Sequence, residues 1–162
     1  MRDRIYVHVI WTTRDRQPTI DPRVAAFLAR YLTAVARQER TGVHALGIVR
    51  THVHLLLQLH PTTSISRLMQ RLKGGSSVLA NREGHAGTRP LRWAKGYDIE
   101  SVSPRLLGAV RAYVLGQARH HPEEAIAGWD PTTPGWAPTT ETAVEPRLIA
   151  AESGDSATCH SE

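Results

Sequence analysis

"THVHLLLQLH", residues 51–60, is the stretch on which the reading of the whole chain turns. A β-strand points successive side chains to opposite faces, so His52 and His54 share one face while Val53 points to the other. The leucines that follow make both faces apolar, as suits a strand in the middle of a sheet. Two imidazoles on one rigid face can hold a single ion between them, and they leave most of its coordination shell open, as a catalytic site does and a closed structural site does not. A His-x-His pair is weak evidence by itself, because sheet histidines are more often packed or solvated, and His8, His44 and His60 show that this chain uses the residue freely.

Working outward, "VHALGIVR" (43–50) lies close enough to form a hairpin with this strand. Ahead of it, "RIYVHVIWTT" (4–13) is rich in β-branched and aromatic residues and reads as a first strand. Asp21-Pro22 supplies the N-cap and first position of a helix whose apolar stripe is Val24, Phe27, Leu28, Tyr31, Leu32 and Val35, ending at Gly42. Beyond the central strand, Ser64 caps a second helix, "ISRLMQRLKGGSSVLANR", which Gly74-Gly75 should loosen or bend. A short strand around "YDIESV" follows, and Ser103-Pro104 opens a third helix, "RLLGAVRAYVLGQARHH", closed by Pro122. The order β-α-β-β-α-β plus a helix gives an α+β, ferredoxin-like fold: an antiparallel sheet with helices on one face and an additional C-terminal helix.

Charge divides the chain. Residues 123–162 hold eight acidic side chains against Arg147 alone, so the 122 residues before them carry a net charge of +12, nearly all of it from arginine. Arginine's planar fork suits phosphate oxygens, and so one-signed an excess points to a nucleic-acid partner rather than to solubility alone. One domain is expected over 1–128, followed by an acidic, Pro/Thr/Ser-rich tail over 129–162 without packed structure. No apolar run approaches the roughly 20 residues of a membrane helix, and no leader-like segment opens the chain, so a cytoplasmic, nucleoid-associated protein is expected. Cys159 is the single cysteine, which excludes a disulfide framework and a thiolate zinc site.

In the third helix, Tyr113 and Gln117 stand four residues apart and so share a helical face. They either aim a phenol and an amide oxygen together at the sheet, or extend and border the apolar stripe of Leu106, Val110 and Val114.

"HVIWTTRDRQP", "THVHLLLQL", "SISRLMQRLKGGSS", "WAKGYDIESVS" and "YVLGQ", in this order and spacing, resemble the single-tyrosine HUH transposases that move insertion sequences as single-stranded DNA, and their palindromic-repeat-associated relatives. The resemblance runs from about Ile5 to His121. It implies that His52, His54 and Gln117 hold a divalent metal and that Tyr113 is the nucleophile. The position before the first histidine, commonly Asp or Asn in that family, is Thr51 here. A site of two imidazoles and one amide oxygen suits Mn²⁺ or Mg²⁺, with histidine ligation leaning toward Mn²⁺. The expected function is metal-dependent cleavage and strand transfer of single-stranded DNA through a 5′-phosphotyrosine; the alternative is a non-catalytic relative that binds hairpin DNA. A two-histidine phosphoesterase would need a second His-x-Ser/Thr strand, which is missing.

Arg14, Arg16, Arg67, Arg71, Lys73, Arg89, Arg92 and Lys95 are the expected phosphate contacts. Trp93 and Tyr97 either stack on unpaired bases or border the last strand as core aromatics. The resemblance further implies hairpin-forming DNA ends as substrate and a homodimer whose subunits share tyrosines.

Overall fold

The computed structural model describes residues 4–129. The tail expected from residue 129 onward lies, beyond Trp129, outside the described residues. Four strands, β1 (Ile5–Thr12), β2 (Gly42–Ile48), β3 (His52–Leu59) and β4 (Asp98–Val102), form one antiparallel sheet in the order β2-β3-β1-β4. This is the ferredoxin-like arrangement expected of the element order, with β3 inside the sheet. Its neighbours fix its register: Thr12 lies opposite His52 and Ile10 opposite His54 on one side, and Gly47 lies opposite His54 on the other.

One face carries the main core. Val7, Val9 and Trp11 of β1, Val53, Leu55 and Leu57 of β3, and Leu46 and Ile48 of β2 are buried there. Helix α1 (Pro22–Gln38) covers them with Val24, Leu28, Leu32 and Val35, a stripe at helical spacing. Its start is set as the sequence suggests: the Asp21 carboxylate accepts a hydrogen bond from the Val24 amide (2.9 Å), with Pro22 behind it. The second helix is interrupted where Gly74-Gly75 predicts. Helix α2 (Ile65–Gln70) passes through a π-helical turn over Arg71–Gly75 into α3 (Ser76–Arg82). A Cβ on Gly75 would lie 1.9 Å from the Tyr31 hydroxyl, so a larger residue there would have to push that ring from its present seat on Arg71 O.

The opposite face has a small apolar cluster of Ala45, Leu56, Val102 and Val114. Helix α4 (Leu107–Leu115) lies on it, and the polar side chains His8, His52 and His54 are buried beside that cluster. The expected continuous third helix instead starts at Leu107 and breaks at Gly116, after which α5 (Gln117–His120) and a 3₁₀ turn (Pro122–Glu124) complete the segment. The Gly116 amide bonds back to Ala112 O and Tyr113 O, and its φ of −89° and ψ of 15° leave the helical path.

Candidate active site

Strand alternation brings His52 and His54 to the α4 face, where they are 4% and 3% exposed and their ring centroids are 5.0 Å apart. The Nδ1 atom of each ring is already engaged. His54 Nδ1 is 2.9 Å from His8 Nε2, a side chain that the sequence reading counted only as background. His52 Nδ1 is 2.9 Å from Thr51 Oγ1 and 3.3 Å from a Glu124 carboxylate oxygen.

Burial determines the charge state of this cluster. It holds His54 down at about 3, and the neighbouring imidazoles His52, His8, His121 and His120 push the same way. His52 is also lowered, first by burial and then by His121 and Arg16, against the opposing pull of Glu124 and Gln117. His8 is lowered by burial against Glu100. All three rings are therefore neutral at pH 7, the form that binds metal.

The same shifts make stability depend on pH. Unfolded, His54 would take a proton near pH 6.5; folded, it refuses one until about 3. The unfolded state thus binds more protons below 6.5, and stability present above that pH is lost as pH falls toward 3. For metal-free protein the expected loss is about 2 kcal/mol in total between pH 7.5 and 5 for this histidine, steepening toward roughly 1.4 kcal/mol per pH unit below 6.5, read from urea midpoints. His54→Asn should flatten the slope, and parallel curves for the two proteins would refute the assignment.

Gln117 is 1% exposed. Its amide nitrogen donates to Tyr113 O (3.0 Å), and its Oε1 is buried with no well-aligned hydrogen-bond partner, although the Gln117 side chain interacts with His52 closely enough to raise that ring's pKa. An orphaned amide oxygen in a dry site is costly. It is explained if that oxygen, with the neutral rings of His52 and His54, serves to hold a divalent cation, and the donor set fits one. The Gly116 break turns Gln117 toward the sheet while leaving Tyr113 41% exposed. The Tyr113 ring nevertheless lies 5.9 Å from His54, 6.1 Å from His8 and 4.8 Å from His120, all within the same chain. Sequence reasoning left open whether Tyr113 and Gln117 were merely the margin of an apolar stripe; their surroundings are the histidine cluster.

Gly47 makes this approach possible. A Cβ there would come 2.2 Å from Val114 O and 2.8 Å from Gln117 Cγ. A glycine inside a strand pattern signals close backbone approach, and that signal was present in "VHALGIVR" but unread. Gly47→Ala should force the α4–α5 junction away at a cost of about 1–3 kcal/mol. The expected result is a melting temperature several degrees lower and weaker Mn²⁺ binding by calorimetry; wild-type values for both would count against this packing.

The remaining expected site residues divide into two groups. Arg14, Arg89 and Arg92 line one open cavity of about 420 Å³, where the Arg14 amide donates to Arg92 O (2.8 Å) and Thr13 bridges to Trp93. Arg16, held at a left-handed φ of 50°, lies near enough to lower His52. Lys95 is exposed, and Tyr97 is half-buried against the core. By contrast, Arg67 and Arg71 pair with Glu39 at the end of α1, and Lys73 donates to the carbonyls of Ala94 (2.9 Å) and Gly96. Trp93 is half-buried, edge-on to Trp11 at 5.8 Å, and donates to Ser76 Oγ (3.0 Å), which places it at the border of the core. No helix among the described residues is long and apolar enough to cross a membrane.

Two solved structures share this fold. A putative transposase from Deinococcus radiodurans R1 is 24% identical with a TM-score of 0.56, covering 78% of this chain and 95% of that one. A REP-associated tyrosine transposase bound to a REP hairpin is 11% identical with a TM-score of 0.57, covering 75% and 70%. No curated protein matches the chain. The sequence profile described as "Transposase IS200 like" matches residues 2–117, which spans the sheet and both histidines of β3 and ends on Gln117. The chain belongs to the IS200-like transposase family.

Proposed function

We propose that this protein cleaves and rejoins single-stranded DNA through a covalent 5′-phosphotyrosine, with Tyr113 as nucleophile. The observation that carries the reading is the meeting of Tyr113, the buried His52–His54 pair and the orphaned Gln117 oxygen on one face of the sheet. In the first step the Tyr113 oxygen bonds to phosphorus as the P–O3′ bond breaks. The phenolic proton is released, and the departing strand leaves with a 3′ hydroxyl. A phosphotyrosine is itself a diester, so the hydroxyl of another strand can displace it, restoring the phenol and joining new ends without ATP.

A divalent cation, Mn²⁺ or Mg²⁺, held by His52, His54 and Gln117, would withdraw charge from a phosphodiester that otherwise repels an attacking anion. The protein's own contribution is positional. Buried neutral ligands leave the cation its full charge, and α4 fixes the phenol beside them. Arg14, Arg16, Arg89, Arg92 and Lys95 would hold the DNA backbone, with Tyr97 available to stack on an unpaired base. Arg67, Arg71, Lys73 and Trp93 remain candidates for contacts made in addition to their internal bonds. Single-stranded DNA with hairpin-forming ends is the proposed substrate, and a homodimer the proposed assembly.

Incubating the full chain with end-labelled, hairpin-bearing single-stranded DNA and Mn²⁺ should yield a protein–DNA adduct that survives SDS and disappears with EDTA. Hairpin binding without an adduct under either metal would favour a non-catalytic role.

A further inference from the structure

Thr51 and Glu124 meet on one nitrogen. The Thr51 hydroxyl lies 2.9 Å from His52 Nδ1, and the Glu124 carboxylate lies 3.3 Å from the same atom. A hydroxyl can donate or accept, so Thr51 is compatible with either neutral tautomer of His52. A carboxylate can only accept, and it therefore selects the tautomer that carries its proton on Nδ1. That choice leaves the lone pair on Nε2. We propose that Glu124 is a positioning residue that fixes the His52 tautomer and ring orientation, so that Nε2 is presented to a divalent cation.

The way Glu124 reaches the site supports this role. It ends the 3₁₀ turn after α5, and its backbone oxygen accepts a hydrogen bond from the Arg50 amide (2.8 Å), two residues before His52. Two residues further on, Ile126 is buried in the main core at 6% exposure. The turn is thus anchored beside the loop that enters β3, and the Glu124 side chain is only 21% exposed. The neighbouring His121 ring stands edge-on to His52 at 5.2 Å and further limits how that imidazole can rotate. Outer partners of metal-bound histidines act in this manner, and their loss costs ten- to a hundredfold in metal affinity.

This inference rests on the proposed metal site at His52, His54 and Gln117, and one of its readouts needs no metal. In ¹⁵N-labelled, metal-free full chain at pH 7.5, the His52 ring nitrogens should report a proton on Nδ1. Glu124→Ala should shift that population toward Nε2 protonation and weaken Mn²⁺ binding by calorimetry roughly ten- to a hundredfold. Glu124→Gln, whose amide oxygen can still accept from Nδ1, should recover most of the affinity and the tautomer. An unchanged melting temperature in both variants would show that the loss is not unfolding. The proposal is overturned if Glu124→Ala binds Mn²⁺ like wild type, or if the ring signals do not move. It is equally overturned if Glu124→Gln is as weak as Glu124→Ala, because the carboxylate would then act through its charge, as a ligand of the cation together with His121 and Glu123, which lie within 4.8 Å of it. Should wild-type protein bind no Mn²⁺ at all, the metal site itself fails, while the ring signals still decide the role of Glu124.

Discussion

Tyr113→Phe is expected to abolish the SDS-stable DNA adduct completely while leaving DNA affinity and Mn²⁺ affinity within about twofold of wild type. The substitution removes one oxygen from a 41% exposed ring whose hydroxyl holds no hydrogen bond among the described residues. Exposed positions of that kind usually change stability by no more than about 0.5 kcal/mol, so loss of the adduct would report chemistry and not folding. The other tyrosines are poorly placed to substitute. Tyr31 belongs to α1, on the opposite side of the sheet, donates to Arg71 O (3.1 Å), and has its pKa raised by burial, which disfavours the phenolate. Tyr6 packs edge-on to His44 near the end of β1 farther from His52, and Tyr97 borders the core. Denaturing gels with labelled DNA, run beside a filter-binding titration, make the measurement. An adduct of wild-type yield from the Phe variant would remove Tyr113 from the role and return attention to those three residues.

What was legible in the sequence was local. Period-two alternation placed both histidines on one face of β3, Asp21 and Ser64 cap the helices they precede, and the Gly74-Gly75 pair marks the π-helical turn. The sheet order follows from the sequence of elements. What was not legible depends on juxtaposition across the chain. His8 bonds to His54 from 46 residues away, and nothing in "IYVHVIW" distinguishes a ligand-supporting imidazole from a packed one. Glu124 falls where the composition turns acidic, so it reads as part of a solvated tail, although its turn is clamped to Arg50. Arg71 and Lys73 look like free cations in sequence, yet the folded chain spends them on Glu39 and on the Ala94–Gly96 backbone. The break at Gly116 also escaped the helical pattern. The α4–α5 junction that it creates lies directly over Gly47, a contact that the spacing of Tyr113 and Gln117 does not encode.

His54→Ala is expected to remove Mn²⁺ binding almost wholly, by at least about a hundredfold, since it deletes a ligand and not an outer partner. Its effect on the metal-free protein should be a more moderate loss of stability, about 1–3 kcal/mol. His54 is neutral and desolvated, and its ring bonds to His8, a buried imidazole on the same face of the sheet. Removing one member of such a pair leaves a cavity and an unpaired His8 nitrogen, both of which destabilise the fold. The variant should therefore melt several degrees below wild type in EDTA, and the gap should widen as Mn²⁺ is added. Wild type should gain stability as RT ln(1 + [Mn²⁺]/Kd), about 2.7 kcal/mol at a hundred times Kd, while the variant gains almost none. Adduct formation should fall with binding, because a phosphate that keeps its full negative charge repels the phenolate. If the variant's deficit in EDTA is as large as its deficit with Mn²⁺, His54 is chiefly structural. If it retains the Mn²⁺-dependent gain, the cation sits elsewhere, and His121, Glu123 and Glu124 become the first place to look for it.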